Sequence, residues 1–173
     1  MDKLNHRPSK GASFDRPKCV SWAGISNSPP AFFTAPKRSR GVRRQGILYE
    51  RKVQAHLLSL YPDGYLDGPW LTYRDNGGKE KWCQPDGILV RPKQGLITVV
   101  EVKLRHTDHA WFQLHELYYP VLRKVFDSAL WEFRFVEVVR WYDPSIPFPG
   151  RHYLRPRVDL ARAGETTVVI WTP

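Results

Sequence analysis

Two periods of apolar residues organise this chain, and they change over along its length. Leu96-Ile97-Thr98-Val99-Val100 is an almost unbroken apolar run, short enough and β-branched enough to predict a buried strand that continues through Glu101-Val102-Lys103. Side chains of a strand alternate, so Glu101 and Lys103 share one face while Val100 and Val102 share the other. Upstream, helical spacing of Val53, Leu57 and Leu60 or Tyr61 predicts a helix from about Ile47 to Tyr61, stopped by Pro62-Asp63-Gly64. Glu50 falls on that apolar stripe. A strand is predicted over Gly68 to Arg74, followed by the turn Asp75-Asn76-Gly77-Gly78 and a second strand from about Lys81 to Val90. Pro85 interrupts the ladder of that second strand and Gly87 favours a sharp bend.

Downstream, Asp108 is placed to cap a second helix from about His109 to Phe126, with Trp111, Leu114, Leu117 or Tyr118, Val121 and Val125 as its stripe. Pro120 is expected to kink or split it. Glu132 to Trp141 alternates Phe133, Phe135, Glu137 and Val139 against Arg134, Val136, Val138 and Arg140, a pattern for an interior strand. Residues 143–150 read as a loop with three prolines, and Thr166 to Trp171 as a last strand.

Charge refines this picture. The net charge is +10, of which residues 1–44 supply +8 from ten Lys/Arg and two acids. This arm, rich in Pro, Ser, Lys and Arg, reads as extended, and its basic cluster Lys37, Arg38, Arg40, Arg43 and Arg44 suits a polyanion. Trp22, Phe32 and Phe33 are apolar points in it that offer anchors to a partner protein. Arg151, Arg155, Arg157 and Arg162 form a second basic stretch. Seven Trp, eight Tyr and eight Phe predict a packed core rather than disorder. Two cysteines make no disulfide framework and no secretory apolar segment begins the chain, so a cytoplasmic protein is expected, outside any membrane.

The candidate chemistry lies where the two central strands meet. A hairpin turning at Lys93 and Gln94 sets position 86 opposite position 101, bringing Asp86, Glu101 and Lys103 together. An acid and an ammonium at the end of so apolar a run carry a large desolvation cost unless they are partnered.

Pro85-Asp86, 14 residues, then Glu101-Val102-Lys103 resembles the PD-(D/E)xK nuclease superfamily. Gly46-x-x-x-Glu50 is similar to the first-helix acid of its RecB-like and phage-exonuclease members. Gln113, with Tyr118 five residues later, is similar to a motif of RecB-like nucleases, whose usual spacing to the tyrosine is one shorter. The order of strands and turns also resembles transposon endonucleases of the TnsA type. The resemblance implies an α/β fold, a restriction-endonuclease-like αβββαβ core with a mixed central sheet, over residues 45–173, with 143–173 as a C-terminal extension. It implies hydrolysis of DNA phosphodiesters, more as an endonuclease than an exonuclease, with Mg²⁺ or Mn²⁺. Asp86, Glu101 and the Val102 carbonyl are then expected to hold the metal, Glu50 to reach it directly or through water, and Lys103 to stand beside the attacking water. Gln113 joins the catalytic group, while Arg105 and the basic cluster bind nucleic acid. The competing expectation is a catalytically silent nuclease-fold module for nucleic-acid binding or assembly.

Overall fold

The computed structural model describes residues 17, 19–33, 40–75, 78–141 and 166–173. Its order is β1 (Val20–Ser26), α1 (Gly41–Leu60), β2 (Tyr65–Asp67), β3 (Trp70–Asp75), β4 (Glu80–Cys83), β5 (Gly87–Arg91) and β6 (Leu96–Arg105). There follow α2 (Asp108–Phe112), a π-helical turn (Gln113–Tyr118), α3 (Tyr119–Val125), β7 (Glu132–Trp141) and β8 (Thr166–Ile170). The protein is mixed α/β. A five-stranded sheet runs β2-β5-β6-β7-β8, and a three-stranded sheet runs β1-β3-β4. In the larger sheet β6 pairs antiparallel with β5 and parallel with β7, so the sheet is mixed.

The residue pattern explains the layers. Ile97 and Val99 of β6 and Phe133 and Phe135 of β7 face Leu114, Leu117, Tyr118, Val121 and Leu122 of the second helical segment. On the opposite face, Val100, Val102 and Val138 pack against Tyr49 and Val53 of α1. Apolar area on both faces of β6 is what an almost unbroken apolar run provides.

Several boundaries differ from the sequence expectation. Helix α1 starts at Gly41, six residues early, because Arg40 caps it with extended backbone and no side-chain hydrogen bond; no cap residue marks the start. Its stripe ends at Leu57, since Leu60 is 54% and Tyr61 39% exposed. Asp108 is the first residue of α2 rather than its cap; Thr107 holds the cap position, without a side-chain bond. Part of the N-terminal arm belongs to the fold. Val20–Ser26 pairs antiparallel with β3 across a bulge between Val20 and Trp22, and Val20 joins the core. Val20 is its one buried residue, so its hydrophobic signal is weak. Phe32 and Phe33 make edge-on contacts with Trp82 and Trp70 of the protein itself, which accounts for two of the three expected anchors. Lys37, Arg38, the loop 143–150 and the second basic stretch fall outside the described residues.

The largest departure matters most. The single strand expected over Lys81 to Val90 is two strands in two different sheets, β4 and β5, joined by Gln84-Pro85-Asp86. Proline cannot donate to a ladder, so the chain leaves one sheet there and enters the other. Gly87 is required at the junction: a Cβ on it would stand 2.1 Å from the Tyr65 hydroxyl.

Candidate functional site

Strand β5 ends its pairing with β6 at Gly87, opposite Val100. Residues 101–105 of β6 therefore run on past β5, and Asp86 stands in the notch this leaves. The register of the expected hairpin holds: Asp86 Oδ2 accepts a hydrogen bond from the Val102 N–H at 2.7 Å. A strand residue turns its N–H and C=O to the same neighbour. The Val102 carbonyl thus lies on the edge that faces Asp86.

Glu101 is wholly buried on the other side of the backbone from Val102. Lys103 Nζ donates to Glu101 Oε1 and, at 2.9 Å, to Gln113 Oε1. Gln113 Nε2 donates to the Tyr118 hydroxyl at 3.2 Å, and that hydroxyl donates to the Gln84 carbonyl at 3.1 Å. A chain of hydrogen bonds so joins the lysine of β6 to the peptide just before Pro85. The π-helical turn explains why residues five apart meet. Its i→i+5 bonding stacks positions 113 and 118 as an α-helix stacks positions four apart. Pro120 follows directly; without an N–H it offers no bond back to Glu116, which is compatible with the widened turn before it.

Asp86 is anchored through its main chain too. Its carbonyl accepts from Gln54 Nε2 of α1 at 3.1 Å, from the Gly68 N–H at 3.2 Å and from the Tyr65 hydroxyl at 3.5 Å. Glu50 lies on α1, which covers the Val102 face, and not with Lys103 on the Glu101 face. Its charge reaches Tyr65 and Asp67. Burial first, and Glu50 among the nearby charges, raise the pKa of both. Asp67, opposite Gly87 in the register, is an acid beside Asp86 that no motif or spacing singles out.

The basic residues gather at the same end. A Cβ on Gly46 would stand 3.9 Å from Leu104, so the first turns of α1 lie over the end of β6. Arg40, Arg43 and Arg44 are exposed there. Arg105 is exposed with its guanidinium 3.7 Å above the Trp141 ring, its register partner on β7.

Two further residues complete the surroundings. Glu137 is fully buried and pairs in register with Glu101. Its Oε2 accepts from His106 Nδ1 at 2.6 Å and its Oε1 from the Thr107 N–H at 3.2 Å. Burial is the main cause that raises the Glu137 pKa; the bond and charge of His106 act against it. The signal for Glu137 was in the sequence, as the one acid among Phe133, Phe135 and Val139. His106 carried none.

The donors present suit a hard cation. Glu101 Oε2 is buried with no hydrogen-bond partner among the described residues, an acceptor left open beside Asp86. Two carboxylates and a carbonyl are oxygen ligands of the kind Mg²⁺ takes together with waters and substrate phosphates. Among the described residues no three His, Cys, Asp or Glu side chains converge as a cage.

No helix among the described residues is long and apolar enough to cross a membrane. No family model matches the chain, and neither a curated protein nor a solved structure does.

Proposed function

We propose that the protein is a metal-dependent nuclease of the PD-(D/E)xK type, a restriction-endonuclease-like fold that hydrolyses DNA phosphodiesters. The observation that carries this reading is the notch itself. Asp86 is bonded to the Val102 N–H, Glu101 has an open oxygen, and Lys103 is held by Glu101 and Gln113. Asp86, Glu101 and the Val102 carbonyl would hold Mg²⁺ or Mn²⁺, with Glu50 and Asp67 on the α1 side. When bound, such a cation neutralises phosphate charge and acidifies a water. Gln113 and Glu101 fix the Lys103 ammonium, so that it meets the phosphate without being ordered at the moment of reaction. Tyr118 fixes Gln113 in turn. Arg43, Arg44 and Arg105 at the same end supply the positive surface that draws and holds the backbone.

The test is a cleavage assay with Mg²⁺ on labelled duplex, branched and single-stranded substrates. Cleavage that survives excess EDTA would overturn the metal-dependent reading. Tight binding without cleavage on any substrate would favour the silent module instead.

A further inference from the structure

We propose that Trp141, with Arg105 over its ring, is a stacking platform for an unpaired base, so that the protein acts on DNA with a single-stranded segment rather than on continuous duplex. The proposal rests on the nuclease reading for its ligand and deepens it by naming the class of substrate.

Trp141 is the register partner of Arg105, as Val139 is of Lys103 and Glu137 of Glu101. Strand alternation and parallel pairing put all six on one face of the sheet. Along that face burial ends abruptly: Glu137 and Val139 are wholly buried, whereas Trp141 is 40% exposed. The ring belongs to none of the apolar clusters among the described residues. It is met instead by the Arg105 guanidinium, 3.7 Å from the ring centre. Arg105 is itself exposed, and no carboxylate among the described residues pairs with it. The ring orients that charge without neutralising it.

An exposed indole and an unneutralised guanidinium are what an unpaired nucleotide binds. Its base has a π face that stacks on an aromatic ring whatever the sequence, and its phosphate takes N–H donors from arginine. In continuous duplex the faces of each base are covered by its neighbours, and only the phosphate is left to bind. Position links the platform to the candidate site. Arg105 follows Lys103 by two residues on β6 and on the same face, about 6.6 Å farther along at a strand rise of about 3.3 Å per residue. Neighbouring nucleotides of one strand can therefore meet the lysine and the platform together. A cation–π pair at the end of a sheet also serves stability. That role by itself changes melting, but not the choice between single-stranded and duplex DNA, and this difference makes the two separable.

The experiment uses the full-length chain and fluorescein-labelled DNAs of one sequence: a single strand, a forked duplex with unpaired arms, and a blunt duplex. Affinity is measured by anisotropy in EDTA, with cleavage in Mg²⁺ and thermal denaturation measured in parallel. Trp141→Ala is expected to bind the single strand and the fork about tenfold more weakly, and the blunt duplex within about twofold of wild type, as loss of one stacked base predicts. Trp141→Phe, which keeps an aromatic face, is expected to retain most of the affinity; Trp141→Leu, apolar but without such a face, is expected to lose it. Wild-type affinity of a folded Trp141→Ala protein for the single strand and the fork overturns the platform and leaves the ring a structural or protein-docking role. Equal affinities of Trp141→Leu and Trp141→Phe overturn stacking. An equal loss on all the DNAs overturns the assignment to an unpaired base. If Trp141→Ala does not fold, Trp141→Phe and Trp141→Leu decide. If the wild type binds but never cuts, the nuclease reading falls, while the platform still stands or falls on affinity. If it binds no DNA, both fall.

Discussion

Glu101 and Glu137 are register partners on adjacent parallel strands, and neither is exposed to solvent. Two ionised carboxylates so placed repel each other unless each is compensated. Lys103 compensates Glu101, while His106 and the Thr107 N–H compensate Glu137. All three donors belong to one stretch of chain, residues 103–107.

The first prediction concerns Lys103. Lys103→Ala should reduce cleavage by about a thousandfold or more while leaving DNA affinity within a few-fold, because its role is expected in the transition state. It should also lower stability, since Glu101 loses its partner in a buried place. Single-turnover rates beside binding isotherms check this. Wild-type cleavage by pure Lys103→Ala would place the site elsewhere.

Asp86→Ala is expected to abolish cleavage too. Removing one of several clustered acids is by itself a relief. The Val102 N–H, however, then loses its acceptor in the interior, a cost of about 1–3 kcal/mol. Asp86→Asn keeps an acceptor and should be the more stable of the two while equally inactive. Urea denaturation of both variants decides the order.

How far the site was legible follows from its parts. Asp86, Glu101 and Lys103 were readable because strand alternation and a short turn fix a register, and both are local properties of the chain. The division of one expected strand between two sheets was not, although Pro85 and Gly87 marked the place; which sheet a strand joins depends on distant partners. The three-residue β2 and the exposed β1 bury too little to leave a pattern. The meeting of Gln113 with Tyr118 needed a π turn, which no residue-level preference announces. His106 was invisible because its partner, Glu137, lies 31 positions away.

Tyr118 offers a test of the π turn. Its hydroxyl links Gln113 to the Gln84 carbonyl. Tyr118→Phe keeps the packed ring but frees Gln113, and through it Lys103. The variant should lose roughly 1 kcal/mol of stability and cut several-fold more slowly, with KM for DNA little changed. An unaltered kcat would show that Gln113 does not depend on this bond.

Acid sensitivity should come largely from His115. Its ring stacks on Trp111, with centroids 4.7 Å apart, and is hydrogen-bonded to Thr166 at 2.6 Å, while Nδ1 has no partner among the described residues. Desolvation lowers its pKa to about 4 from 6.5. The unfolded chain thus binds the proton that the folded one refuses, and stability falls as pH drops from about 6.5 towards 4. The full effect is about 3 kcal/mol for a shift of that size. His115→Gln should flatten the fall in melting temperature across this window. An unchanged slope would assign acid lability to other groups.

The last prediction concerns the basic N-terminal region, and the fold changes how it must be tested. Residues 1–44 hold most of the net charge but also contain β1, whose Val20 is in the core and whose register covers Trp70 to Asp75. Deleting the whole region exposes an edge of β3 and strips the first turn of α1, so weakened DNA binding would be confounded by lost stability. Substituting Lys37, Arg38, Arg40, Arg43 and Arg44 by Gln removes five charges and leaves β1 in place. If these side chains meet phosphates, affinity should drop and the slope of log affinity against log salt should shrink by up to about 0.9 for each phosphate no longer neutralised. The melting temperature should stay close to that of the wild type, and cleavage at saturating DNA should continue at nearly the full rate, since Asp86, Glu101 and Lys103 are untouched. Identical salt slopes for the two proteins would exclude the phosphate role for this cluster. They would leave Trp22, which is half exposed beneath Arg74, as the remaining arm residue for contact with a protein partner.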